Sequence, residues 1–286
     1  MDAAFVYFAP IAVGAVTVYV AEQRLRRSWT YYAWAPVVAN ALFVVGTMAI
    51  LVEGLICAII ILPLFCALGA LGGLVMGGIC RVARRRRGSV YSFAVLPVLL
   101  GALPVSEATD QHIGVIERSI LIEAPAEQIW QQLHNTRNIR PEEVDQAWMY
   151  RIGVPTPLAG VTQQTPDGYV RKISMGKSIH FDQIATDWEA NRYVRWVYRF
   201  ERDSFPPNAL DDHVTIGGHY FDLMDTAYTL VPTSERTTEL RIAMHYRVST
   251  QFNWYAGSVA RLLIGNFEEV ILGFYRARST QAHEQR

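Results

Sequence analysis

The sequence predicts an all-α transmembrane region of four helices, followed by an α+β domain in which an antiparallel sheet packs on a long C-terminal helix. Three observations lead to this prediction. Apolar residues dominate the first 105 positions, apolar and polar residues alternate in later stretches, and a helical apolar stripe closes the chain. We expect a membrane region over 1–105, a second domain over 112–280 and a tail over 281–286.

The first 105 residues contain four apolar stretches. A bilayer core of roughly 30 Å needs about 20 apolar residues for each helical span. Between Tyr31 and Cys80 the one charged side chain is Glu53, and this length fits two spans joined by a turn at Glu53-Gly54. The last stretch is shorter and ends at Pro104. We expect spans at 3–21, 32–52, 54–80 and 89–105.

Arginines set the expected orientation. They cluster at Arg24 to Arg27, after the first stretch, and at Arg81 to Arg87, before the last. The first stretch is not a cleavable signal peptide, because its basic residues follow the apolar run. Short arginine-rich loops stay in the cytoplasm, and two spans between these loops put both on that side. We therefore expect a multi-pass bacterial inner-membrane protein whose second domain is periplasmic.

Charge and small residues limit the partners. The 26 basic and 26 acidic side chains cancel, so no global field attracts nucleic acid, and we expect no nucleic-acid partner.

Gly69, Gly73 and Gly77 recur every fourth residue, a pattern typical of close helix packing in membranes. We call these three residues the glycine row. It predicts packing between helices of this chain, or docking on a membrane-protein partner or on a second copy of the chain.

The second domain begins with an alternating strand over 115–123, and Pro125 then opens a short helix over 127–133. Alternation returns over Tyr193–Phe200 and Glu239–Val248, as in antiparallel strands with one buried face. A long amphipathic helix follows over 253–278. Its apolar stripe consists of Trp254, Val259, Leu262, Leu263, Phe267, Val270, Ile271, Phe274 and Tyr275.

Charged residues exclude a fifth span in this closing helix. Arg261, Glu268 and Glu269 interrupt any apolar run of the length that a span needs. The helix is therefore expected to pack on the sheet.

Three segments and the closing helix carry a family resemblance. Residues 116–130, 184–189 and 228–232, in this order around the predicted strands, resemble the START-like, polyketide cyclase/dehydrase (SRPBCC) superfamily over residues 112–280. The resemblance implies a helix-grip fold, in which a curved antiparallel sheet wraps the C-terminal helix and leaves a cavity for an apolar ligand. The superfamily contains lipid carriers, hormone receptors, cyclases and oxygenase subunits, so it does not fix the function.

Aromatic residues on or near the predicted strands are candidates to line such a cavity, although aromatic residues also fill ordinary cores. These candidates are Trp148, Tyr150, Trp196, Tyr198, Phe221 and Tyr246.

Candidates for acid or base chemistry are few. His180 and Asp182 lie on a predicted strand, and Asp211, Asp212 and His213 lie in a connection long enough to be functional. Their spacing matches no standard metal site, and no cysteine lies in this half, so we expect no metal and no other cofactor.

Three functions stay open. The first is binding or transfer of a hydrophobic, lipid-like ligand at the extracytoplasmic membrane face, with membrane lipid or a hydrophobic small molecule as partner. The second is a cyclase, dehydratase or hydrolase acting on an apolar substrate. The third is an accessory subunit of a larger membrane complex.

Overall fold

The computed structural model describes residues 3–49, 54–83, 111–207, 209–210 and 214–284. The chain divides into two compact units, Met1–Thr109 and Asp110–Arg286. The predicted span over 89–105 and the candidates Asp211, Asp212 and His213 lie outside the described residues.

The first unit contains three helices in the described part of the chain: α1 (Ala3–Arg24), α2 (Trp29–Ala49) and α3 (Leu55–Ala83). Each is long and apolar enough to cross a membrane. The described residues therefore hold three candidate spans where the whole sequence predicts four.

The glycine row of α3 faces α2. A Cβ atom added to Gly69 would collide with the Asn40 amide, and one added to Gly77 would collide with the Tyr32 ring. A Cβ on Gly73 would collide with the Tyr32 carbonyl. The absence of side chains on this row is what lets the two helices approach so closely.

Two buried polar side chains tie α1 and α2 together. Asn40 Nδ2 donates to the carbonyls of Pro36 at 2.9 Å and of Pro10 at 3.3 Å, which joins α2 to α1. The buried Glu22 carboxylate accepts a hydrogen bond from Tyr32 Oη at 2.8 Å. These hydrogen bonds offset the cost of burying the Asn40 amide nitrogen and the Glu22 carboxylate, whereas Asn40 Oδ1 is buried without a partner.

The second unit contains eight strands, three α-helices and two short 3₁₀ helices (Pro141–Glu143 and Gly176–Ser178) among its described residues. The α-helices are α4 (Ala126–His134), α5 (Trp148–Arg151) and α6 (Asn253–Glu284). The strands are β1 (His112–Ile122), β2 (Asn135–Thr136), β3 (Pro157–Thr165), β4 (Gly168–Met175), β5 (His180–Glu189), β6 (Tyr193–Arg199), β7 (Phe221–Ser234) and β8 (Thr237–Val248).

All eight strands form one antiparallel sheet in the order β1-β8-β7-β6-β5-β4-β3-β2. Register shifts between Ala185 and Asp187 in β5, and between Leu223 and Asp225 in β7, mark bulges that bend a sheet. The sheet curls into a half-barrel, and α6 packs against it. This arrangement fits the helix-grip fold.

The core lies between the inner face of the sheet and α6. Every second residue of β8 from Thr238 to Val248 is buried, as the alternation predicts. From α6, Ile264, Leu272 and Tyr275 enter the same core.

The buried side of α6 differs from the predicted apolar stripe at three positions. Trp254 is 63% exposed and Leu262 is 55% exposed, because the helix contacts the sheet along one side that is narrower than its apolar stripe. Glu268, read in the sequence as an interruption, is fully buried on that side.

Candidate functional site

The strand residues expected to supply acid or base chemistry lie on the outer face of the sheet. In β5, His180 and Asp182 alternate with Phe181 and Gln183, whose side chains are buried. Since neighbouring residues of a strand point to opposite faces, the first pair points away from the core. Asp182 forms an ion pair with the half-exposed Arg199 at 2.7 Å. The sequence left the facing of His180 and Asp182 open, and the structure places both on the outer face.

The six aromatic candidates occupy different environments. Trp148 and Tyr150 lie on the short helix α5 and not on a strand. Two positions along a helix are about 200° apart, so Trp148 is 44% exposed while Tyr150 packs against Phe267. Trp196 is almost fully buried. The remaining three are the buried Tyr246 and the half-buried Tyr198 and Phe221.

A row of polar side chains crosses the inner face of the sheet. Thr162, Arg171, Gln183 and Tyr198 are successive register partners on β3, β4, β5 and β6. The row continues to β7, since the hydroxyl groups of Tyr198 and Thr226 lie 2.6 Å apart. We call these five residues the polar belt. It places hydrogen-bonding groups across an otherwise apolar interior.

Arg171 is the charged member of the polar belt. Its side chain is buried, and Nη2 donates to Tyr275 Oη on α6 at 2.9 Å. Nη1 lies 3.4 Å from Gln183 Oε1, while Nε has no partner. Among the described residues no carboxylate pairs with this guanidinium. Arginine stays charged in proteins, so Arg171 is a buried cation without a counter-ion in the described chain.

The hydroxyl groups of Tyr198, Tyr228 and Tyr275 lie near this cation, and that of Tyr150 lies near Tyr198 and Tyr275. Burial raises the pKa of Tyr198 to about 12, and burial and the neighbouring Tyr275 raise the pKa of Tyr150 and Tyr228 well above its usual value. These groups therefore keep their protons at neutral pH. They can donate hydrogen bonds to an acceptor that lies beside the guanidinium.

His134, at the end of α4, extends the polar belt. Its Nδ1 lies 3.0 Å from Thr162 Oγ1, and its ring packs against the rings of Trp130, Trp188 and Trp196. Burial, with a smaller contribution from the Arg171 charge, lowers the pKa of His134 to about 3. The imidazole is therefore neutral at neutral pH, and its Nε2 has no partner.

Glu268 lies beyond the other end of the polar belt. Its carboxyl group is close to the Met244 backbone on β8, and Met244 is the register partner of Thr226. The side chain is fully buried, and neither oxygen makes a hydrogen bond of good geometry. Burial raises the pKa of Glu268 to about 8, although the charge of Arg118 opposes this shift. The carboxyl group is therefore largely protonated at neutral pH.

Unpaired polar atoms concentrate around α6. In the described part of the second unit, the buried side-chain nitrogen and oxygen atoms without a partner belong to His134, Arg171, Glu268 and Ser279. Glu268 and Ser279 are on α6, and Arg171 contacts it through Tyr275. Folded proteins pair nearly all such atoms, so a group of unpaired ones indicates a missing partner such as water or a ligand.

The described residues offer no metal centre, since no three His, Cys, Asp or Glu side chains in that part of the chain come close enough to share an ion. The interior instead offers donors for an acceptor group and a neutral acid.

The patterns in the sequence did not indicate Arg171, His134 or Glu268 as site residues. A signal was available for Arg171. In a strand, alternate residues share a face, so Arg171 lies on the same face as the apolar Ile173. For His134 the signal was its position four residues after Trp130 on a short amphipathic helix.

No family model and no curated protein matches the chain. Its structural neighbours include START-like proteins. A START superfamily protein from Mycobacterium smegmatis is 14% identical, with a TM-score of 0.40, and the match covers 59% of this chain and 98% of that one. The Zhui aromatase/cyclase from Streptomyces is 10% identical, with a TM-score of 0.38 and coverage of 59% and 95%. Norcoclaurine synthase from Thalictrum flavum is 12% identical, with a TM-score of 0.29 and coverage of 56% and 88%.

At these identities and TM-scores the likeness assigns neither a ligand nor an activity to this chain. The description as a helix-grip fold depends on its own strand order and closing helix.

Proposed function

We propose that the second unit binds a hydrophobic ligand between its sheet and α6, with an acceptor group of the ligand beside Arg171. The observation that carries this proposal is the unpaired Nε of the buried Arg171. A buried charge without a counter-ion is costly, and an anionic or strongly polar ligand group removes that cost. The apolar residues on both sides of the polar belt suit a ligand whose remaining surface is hydrophobic.

We further propose that the N-terminal helices hold this unit at a bacterial inner membrane, with the ligand drawn from membrane lipid on the periplasmic side. Three helices of membrane-spanning length and composition support the anchor. The arginine clusters on either side of the α2 and α3 segment support a cytoplasmic position for both clusters, and the span predicted over 89–105 would then carry the chain to the periplasmic side.

Ligand capture tests the binding proposal. The full chain, Arg171→Met and Arg195→Met are purified in the same mild detergent, and bound molecules are extracted and identified by mass spectrometry. Arg195 is the matched control, because it lies on the outer face of β6 and is 43% exposed. We expect an apolar molecule bound to the parent chain and to Arg195→Met, and at least tenfold less bound to Arg171→Met. Equal amounts in all three, or none in any, would contradict the proposal.

Reporter fusions test the orientation. A reporter active only in the periplasm is fused after Arg286, and one active only in the cytoplasm is inserted at Arg86. We expect both to be active. The reverse pattern would overturn the proposed orientation and compartment together.

A cyclase, dehydratase or hydrolase is the second candidate function. It is favoured by the arrangement of Arg171 and the hydroxyl groups of Tyr198 and Tyr275, since donors held in a buried site stabilise an oxyanion. His180 and Asp182 cannot serve it from the outer face. The purified chain, once its bound molecule is known, should convert an analogue of that molecule, and Arg171→Met should abolish turnover. Unchanged turnover in that variant would exclude this role.

The accessory-subunit alternative needs a surface other than the glycine row. Gly69, Gly73 and Gly77 already pack against α2 of the same chain. Purification in mild detergent as a lone protein would speak against a stable partner.

A further inference from the structure

Glu268 is a second polar position in the interior, separate from Arg171. Within the second unit's described residues it is the one carboxyl group that is fully buried, and neither of its oxygens makes a hydrogen bond of good geometry, although the Met244 backbone lies close to the group. Glu117 and Arg118 on β1 and Glu269 on its own helix influence its ionisation, but none pairs with it. Arg118 instead pairs with the exposed Glu269.

The two positions are linked by the fold. Arg171 is hydrogen-bonded to Tyr275, which is seven residues after Glu268 on the same side of α6. At 1.5 Å per residue, seven residues span roughly 10 Å along the helix axis. The buried α6 side chains between them, Ile271, Leu272 and Phe274, are apolar. The order along this face of α6 is therefore polar, apolar, polar.

We infer that the ligand has two polar ends: an anionic or acceptor group beside Arg171 and, roughly 10 Å away, a hydroxyl group that Glu268 binds. This inference rests on the proposed function, which it extends by the second end of the ligand. A protonated carboxyl group donates one hydrogen bond and accepts others, and a hydroxyl group does the same, so each satisfies the other. An amine at this end would instead require a buried carboxylate, with its desolvation cost.

Three saturated ten-carbon acids are suitable probes, since their ends are separated by a similar length. Decanoic acid has one polar end, ω-hydroxydecanoic acid has two, and ω-aminodecanoic acid places a cation at the second end. Their affinities are measured by titration calorimetry on the full chain in lipid nanodiscs, with empty nanodiscs as the blank. The comparison is repeated for Glu268→Leu, Glu268→Gln and the exposed control Glu269→Gln.

The parent chain should bind the hydroxy acid about tenfold more tightly than decanoic acid, the ratio expected for one well-made buried hydrogen bond. Glu268→Gln and Glu269→Gln should keep this preference, because an amide also donates and accepts and because residue 269 is outside the core. Glu268→Leu should reverse it, since the hydroxyl group then enters an apolar site without a partner.

Different results identify what fails. Suppose that decanoic acid binds and that Arg171→Met lowers its affinity, but that ω-hydroxydecanoic acid binds no more tightly. The inferred second polar end is then wrong, while the proposed function stands. The inference is overturned in the same way if Glu268→Leu still prefers ω-hydroxydecanoic acid to decanoic acid. It is also overturned if ω-aminodecanoic acid binds most tightly of the three. If none of the three acids binds, the proposed function fails and the inference fails with it.

Discussion

Arg278 and Glu143 form a two-pronged ion pair, with Nε 2.7 Å from one carboxylate oxygen and Nη2 2.8 Å from the other. Arg278 also donates to the carbonyls of Arg137 and Asn138. The pair joins the C-terminal part of α6 to the segment between α4 and α5. It therefore holds the closing helix against the sheet at the end where Tyr275 contacts Arg171.

We expect Arg278→Met to lower the free energy of unfolding by about 1–3 kcal/mol, the range for charge-assisted hydrogen bonds that are largely buried. Hydrogen bonding from Arg278 lowers the pKa of Glu143 to about 2. The pair therefore stabilises fully above about pH 4.5 and loses this contribution as the pH falls towards 2. Thermal melting of the full chain at several pH values measures it. Arg276→Met, on the exposed side of α6, should behave as the parent, and an equal loss there would refute the assignment.

His134 should make the second unit sensitive to mild acid. Its folded-state pKa of about 3 lies below the ordinary 6.5, so the unfolded chain takes up the proton first. The free energy of unfolding should therefore fall as the pH drops from 6.5 towards 3. Replacing His134 with Gln should remove part of this slope, whereas His180→Gln, at an exposed position, should keep it. Identical slopes in both variants would show that His134 is not the group responsible.

Glu268 predicts the opposite pH dependence. Its folded-state pKa of about 8 lies above the ordinary 4.5, so ionisation favours the unfolded chain, and stability should fall as the pH rises between these values. We expect Glu268→Leu to be more stable than the parent at pH 8 by about 1–3 kcal/mol, because it removes an unpaired buried polar group. The neighbouring Glu269→Leu is the control and should show no such gain. Lower stability of Glu268→Leu throughout would contradict the prediction.

The glycine row offers a test within the membrane unit. Gly77 has no room for a side chain beside Tyr32, whereas the adjacent Gly78 has nothing within 4 Å of an added Cβ. We expect Gly77→Val to destabilise the detergent-solubilised chain by about 1–3 kcal/mol through overpacking. Gly78→Val should cost less than half as much. Thermal melting in one detergent compares them, and equal melting temperatures would rule out the close contact between α2 and α3.

Much of the fold could be predicted because local patterns report directly on it. The alternation in β8 and β6 identified the strands and their buried faces, since side-chain direction in a strand has a period of two. Pro125 located the start of α4 to within one residue. The exposure of Trp254 and Leu262 could not be predicted, because it depends on how much of α6 the sheet covers.

The candidate site was far less predictable. His180 and Asp182 have suitable chemistry but lie on the outer face, and which face of β5 is inner depends on its register with β4 and β6. The polar belt joins residues from five strands, and no sequence spacing records that they are neighbours.

The sequence by itself determined that an apolar helical region precedes a separate sheet-and-helix unit, since hydrophobic length and period are properties of local segments. Only the tertiary structure decided that Arg171 and Glu268 are buried without counter-ions. Burial removes the water that would otherwise solvate a polar group, and whether water is excluded depends on every element packed around it. Glu268, which interrupts an apolar run in the sequence, is thus the one fully buried carboxyl group among the described residues of the second unit.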